Sequence, residues 1–132
     1  MNFDLEPKYK DIQTAALDLT RKVEPMAVEA DSLSVVHGGV LEALKESGLC
    51  RLMVPAQYGG TFDSINPLAI CVAREAMMAT SSHLDSLFAL QGIGSYAITV
   101  AGSDAQRSEW LPRIAKLEAL GALALTEEMA GS

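Results

Sequence analysis

Residues 81–106 read SSHLDSLFALQGIGSYAITVAGSDAQ. Ser81 and Ser82 are cap residues. From His83 to Ala101 apolar side chains then recur on every side of a helical wheel: Leu84, Leu87, Phe88, Leu90, Ile93, Ile98 and Val100. A helix without a polar face is one surrounded by other elements. The stretch therefore predicts the central helix of a helical bundle, the most buried of the set. Gly102 stops it, and Ser103 with Gln106 three residues later spells a capping box for a following helix. Gly92-x-Gly94 lies inside this helical pattern and not after a strand, so it is read as close helix packing and not as a dinucleotide fingerprint.

Working outward, the fifth predicted helix meets Trp110-Leu111-Pro112, where proline should kink or restart it. Upstream, Asn66-Pro67 is an N-cap followed by proline at the first helical position, opening a third helix to about Met78. Before it, Pro55-Ala56-Gln57-Tyr58-Gly59-Gly60 describes a tight irregular turn. A short second helix is expected from Gly39 to Glu46, with Val40, Leu41 and Leu44 inward and Gly48 as its stop. The segment Ala30–Val36 reads as a connection. The first helix begins near Pro7, with Asp4 as a possible cap. Tyr9, Ile12, Ala16, Leu19 and Val23 follow at alternating steps of three and four, one helical stripe. Pro25 should end or bend it. The tail Gly121–Thr126 is apolar and short, open to either helix or strand, and Glu127-Glu128 then point to the surface.

Composition agrees with an all-α domain. Of 132 residues, 49% are hydrophobic but only 5% aromatic, so the core must be built from Leu, Ala, Val, Ile and Met, which favour helices. The net charge of -7 argues against a nucleic-acid partner. Cys50 and Cys71 make no CxxC pair and are expected to be reduced and buried, and Met77-Met78 to fill core gaps. The start, Met1–Glu6, lacks the pattern of a signal peptide. No apolar run approaches the ~18 residues that span a bilayer, so membrane insertion is not expected and the chain is read as cytoplasmic. His37 and His83 show neither Glu-x-x-His nor His-x-x-x-His spacing, so no metal site is expected.

Three segments in order carry a family resemblance. Glu46-Ser47-Gly48-Leu49 runs into Val54-Pro55-Ala56-Gln57-Tyr58-Gly59-Gly60. Gly102-Ser103-Asp104-Ala105-Gln106-Arg107 is followed by Trp110-Leu111-Pro112 and Ala115-Lys116. The chain closes on Ala124-Leu125-Thr126-Glu127-Glu128-Met129-Ala130-Gly131-Ser132. Together they resemble the N-terminal part of the acyl-CoA dehydrogenase family, over nearly the whole chain. Glu128 stands where the family usually has Pro, and Leu117 where it usually has Gly.

The resemblance implies an all-α bundle of five to six helices over residues 1–120. Residues 121–132 would be the start of a middle β-domain, with its first strand. It further implies α,β-desaturation of an acyl-CoA thioester, with FAD as cofactor and an electron-transfer flavoprotein as redox partner, in fatty acid metabolism. The family's catalytic carboxylate lies in a C-terminal bundle that no residue here matches. Hence no catalytic residue is assigned, and the chain alone is expected to be an inactive fragment without bound FAD. Leu123, Ala124, Leu125 and Thr126 would lie along the flavin ring. Ser132 would sit near the cofactor pyrophosphate and the substrate's pantetheine arm. Leu84, Leu87, Phe88 and Leu90 could line the acyl cavity, or simply pack the core. Glu127 next to Glu128 reads as a solvated charge, not a base. A severed apolar surface should favour a homo-oligomer. Alternatives are a stand-alone non-catalytic interaction or acyl-binding module, and another flavin oxidase or monooxygenase on the same scaffold.

Overall fold

The computed structural model describes residues 4–129. Six α-helices carry the fold: α1 Pro7–Val23, α2 Ala27–Ser32, α3 Gly38–Ser47, α4 Pro67–Thr80, α5 Ser82–Ala101 and α6 Asp104–Ala115. An isolated β-bridge, Pro55 with Phe62, pins the loop before α4. The architecture is an all-α bundle.

Each boundary has a local cause. The stripe of α1 is buried as its spacing requires: Tyr9, Ile12, Ala16, Leu19 and Val23 all face inward, against α4 and α3. Its N-cap is Glu6 and not Asp4, and the Glu6 side chain makes no cap bond. Asn66 caps α4 through its Oδ1, which accepts the Ala69 N–H at 3.1 Å. Ser81 caps α5 in the same way, and Ser103 with Gln106 closes both halves of the capping box on α6. Gly48 ends α3 with φ of 67°, and Gly59 turns the next loop with φ of 92°. That left-handed region is one in which glycine carries no steric penalty.

Several expectations are corrected. Pro25 does end α1, whose last residue is Val23, by sitting early in a 3-10 turn, Glu24–Met26; but α2 then takes the first part of the segment Ala30–Val36, where a connection was expected. The proline's missing N–H is not needed in that turn. Pro112 does not restart α6, which continues to Ala115; the proline falls in the last turn, where only its own bond to the preceding turn is lost. Cys71 is exposed on α4, and Met78 is exposed while Met77 fills the core.

The last correction concerns α5. It is not buried on all sides: Ile93, Tyr96 and Val100 are 48%, 57% and 59% exposed. Three of its polar residues are instead among the most buried, with Asp85 and Gln91 at 1% and Ser95 at 0%. Buried polar groups persist where they are hydrogen-bonded, and each of these is. Asp85 takes Arg74 of α4, Gln91 takes the Leu87 carbonyl and the Gly121 N–H, and Ser95 donates to the Met53 carbonyl at 3.1 Å. So α5 is held by Leu84, Leu87 and Phe88 together with three polar clasps, and presents its other apolar face outward.

Candidate functional site: an apolar groove beside α5

The outward face of α5 forms one wall of a groove of about 400 Å³. Ala89, Gly92, Ile93 and Tyr96 come from α5, spaced so that all four lie on one side of the helix. Ile70 and Arg74, one turn apart on α4, form the opposite wall, with Met53 and Ile65 from the segment that precedes α4. Gly92 keeps the floor open, since a Cβ there would lie 2.6 Å from the Met53 sulfur. The lining is apolar except for Arg74. Its guanidinium is turned to Asp85, with Nε to Oδ1 at 2.8 Å and Nη2 to Oδ2 at 2.6 Å. This bidentate pair raises the Arg74 pKa further, chiefly through the Asp85 hydrogen bond, and fixes the guanidinium beside the groove.

After α6 the chain turns through Leu117, whose φ of 54° is left-handed although its side chain is buried. It then crosses α5 at close range. A Cβ on Gly94 would stand 2.9 Å from the Gly121 Cα, and one on Gly121 would stand 2.7 Å from the Leu90 carbonyl oxygen. Two glycines permit this approach, and the Gly121 N–H to Gln91 Oε1 bond of 2.8 Å secures it. Beyond the crossing, residues 122–129 are exposed. The backbone of 122–126 makes no hydrogen bond among the described residues.

The comparisons with known proteins bear on this arrangement. Residues 7–118 match the family described as "Acyl-CoA dehydrogenase, N-terminal domain". The chain belongs to the acyl-CoA dehydrogenase family. It is 38% identical over 102 residues to the mitochondrial very long-chain specific acyl-CoA dehydrogenase of Mus musculus, covering 77% of this chain and 15% of that protein. It is 27% identical over 131 residues to the probable acyl-CoA dehydrogenase FadE25 of Mycobacterium tuberculosis, covering 98% of this chain and 33% of that one. The chain thus spans a third or less of these relatives' length. In fold it matches a chain from a solved structure described as "Electron transferring flavoprotein of Acidaminococcus fermentans: Towards a mechanism of flavin-based electron bifurcation". The TM-score is 0.87 at 24% identity, over 99% of this chain and 34% of that one.

Against the acyl-CoA dehydrogenase pattern, the residues singled out in the sequence fall in three places. Leu84, Leu87 and Phe88 lie in the core, behind the groove-facing side of α5, and Leu90 is half-buried beside the tail crossing. Leu123, Ala124, Leu125 and Thr126 form the exposed tail. Ser132 lies outside the described residues. The sequence reading missed Ala89, Gly92, Ile93 and Tyr96 as a set. Their helical spacing was present, but so was that of the core face. Among the described residues no three His, Cys, Asp or Glu side chains gather as a metal site, and no helix is long and apolar enough to cross a membrane.

Proposed function

We propose that this chain is the acyl-facing N-terminal part of an FAD-dependent enzyme that desaturates an acyl-CoA thioester between its α and β carbons. The observation that carries the reading is the apolar groove between α4 and α5, in a chain of this family. A saturated acyl tail needs a cleft that offers apolar contact, and each methylene buried there is worth about 0.8 kcal/mol. Ile93 and Tyr96 would contact the tail, Leu90 would border it, and Leu84, Leu87 and Phe88 hold α5 in place from behind.

The helical domain would end near residue 120, and 121–132 would open the β-domain. FAD, when bound, accepts the hydride from the β carbon. The tail suits a flavin's polar edge: the peptide groups of Leu123, Ala124, Leu125 and Thr126, and the Thr126 hydroxyl, are exposed and unpaired among the described residues. Ser132 near the pyrophosphate rests on the family resemblance alone. The base that removes the α proton would come from outside this chain, because Glu127 and Glu128 are both exposed, neither of them held in a pocket. The isolated chain is therefore proposed to be inactive, and the whole enzyme to pass electrons to an electron-transfer flavoprotein in the cytoplasm as a homo-oligomer.

In a second reading the chain is a non-catalytic acyl-binding module, in which Met53, Ile65, Ile70 and Ile93 hold an acyl tail without further chemistry. Methyl NMR during titration with an acyl-CoA and with CoA alone tests what both readings share. Shifts should concentrate on Met53, Ile65, Ile70 and Ile93 and require the acyl tail. Equal shifts with CoA, or shifts elsewhere, would overturn the assignment. Dye reduction with added FAD tests the inactivity that both readings share: turnover by this chain alone would refute both.

A further inference from the structure

On the far side of the 3-10 turn Leu49–Met53 from the groove, a second cavity of about 300 Å³ lies between the Tyr58-Gly59 turn and the end of α6. It shares no lining residue with the groove. Arg51 and Lys116, 65 positions apart in sequence (116 minus 51), both line it, together with Gln57 and Tyr58.

The charge pattern makes this convergence unusual. The chain has ten Lys and Arg residues against 17 acids. Lys8, Arg21, Lys22, Arg74 and Arg107 are in ion pairs, and Arg113 lies over the Trp110 ring. Lys10, Lys45, Arg51 and Lys116 have no ion pair or side-chain hydrogen bond among the described residues. Two of these four share one cavity, on a chain where carboxylates outnumber cations. Both side chains are exposed, so water screens their repulsion, and an anion between them would meet two cations and no carboxylate among the lining residues.

The surroundings do not supply that anion. Carbonyls at the end of α6 would repel one, but those of Pro112, Arg113 and Ile114 already accept backbone N–H bonds from residues 116–119. The remaining groups suit an oxyanion. A guanidinium offers a planar fork of donors and an ammonium a point charge. The Gln57 amide and the Tyr58 hydroxyl add neutral donors, while Pro112 and Ala115 give one apolar wall.

We propose that this cavity binds a phosphate group, Arg51 and Lys116 supplying the charge and Gln57 and Tyr58 the orientation. The phosphate could be inorganic or carried by a small phosphorylated molecule with an apolar portion against Pro112. The site is separate from the acyl groove and does not depend on it.

Calorimetric titration of the purified chain with inorganic phosphate, pyrophosphate, a nucleoside monophosphate and CoA tests this, with acetate as the carboxylate control. The expected result is saturable binding of at least one phosphate compound, weakened by added salt. Arg51→Gln and Lys116→Gln should each weaken it about tenfold or more, while Lys45→Gln leaves it unchanged. Tightest binding of the nucleotide or CoA would identify a phosphorylated ligand; tightest binding of inorganic phosphate or pyrophosphate would identify the free anion. Acetate binding as well as phosphate, or either cavity variant titrating like wild type with its circular dichroism intact, would overturn the proposal. So would failure of all four phosphate compounds to saturate.

Discussion

The backbone N–H of Gly121 donates to Oε1 of Gln91 at 2.8 Å, tying the chain's tail to the middle of α5 across 30 residues. Gln91 is buried and spends its own Nε2 on the Leu87 carbonyl at 2.9 Å. The same side chain therefore faces both the core and the tail. Gln91→Leu keeps the volume near and removes the acceptor. It should cost about 1–2 kcal/mol in a urea titration. A larger effect is expected on the tail, with faster proteolysis and amide exchange after residue 120. Unchanged protection there would show that the bond does not hold the tail.

Leu117 sets an unusual ranking. Its φ of 54° disfavours any side chain, yet its own is buried. Leu117→Ala loses the burial and keeps the strained backbone, while Leu117→Gly loses the burial and releases about 1 kcal/mol of it. Both should be destabilised, with the Gly variant at least as stable as the Ala variant. That order reverses the usual preference, and thermal melts of the two would decide it.

Arg74 and Asp85 are unequally placed. The Arg74 side chain is about half exposed and can rehydrate, whereas Asp85 is sealed in the core. Arg74→Ala strands a buried carboxylate and should cost about 3 kcal/mol. Asp85→Ala frees a guanidinium to turn to water and should cost about 1 kcal/mol. Equal losses in denaturant titrations would mean that the carboxylate reaches solvent.

The two cysteines should react in sequence. Burial pushes the Cys50 thiol up to about 12, far from the thiolate form, whereas Cys71 is exposed. Maleimide should add once to the native chain, at Cys71, and twice only in denaturant. Rapid double labelling under native conditions would contradict the packing of the 3-10 turn that holds Cys50.

These sites show how far the sequence could be read. On α1 the apolar stripe was legible because Lys8, Lys10, Asp11, Asp18 and Arg21 mark the other faces. On α5 no such contrast exists: Leu87 and Phe88 in the core look the same as Ile93 and Tyr96 in the groove. Periodicity finds an apolar face only against a polar one, and here three buried polar residues, Asp85, Gln91 and Ser95, reversed the signal. Their partners, Arg74, Gly121 and Met53, are 11 to 42 positions away, beyond any local pattern. The tail was open for the same reason, since an exposed apolar segment is defined by a neighbour it does not carry. Caps and stops were read almost to the residue because they are local chemistry. The left-handed Leu117 lay at a position the family usually gives to Gly, the one hint of its backbone.

Titration calorimetry of the purified chain with acyl-CoA thioesters of increasing tail length, for wild type and Ala89→Trp, tests the acyl assignment most directly. Affinity should rise by up to about 0.8 kcal/mol per added methylene until the groove is filled, then level off. Ala89→Trp should bring the plateau to shorter tails. Affinity independent of tail length in wild type, or a series left unmoved by Ala89→Trp, would contradict the account.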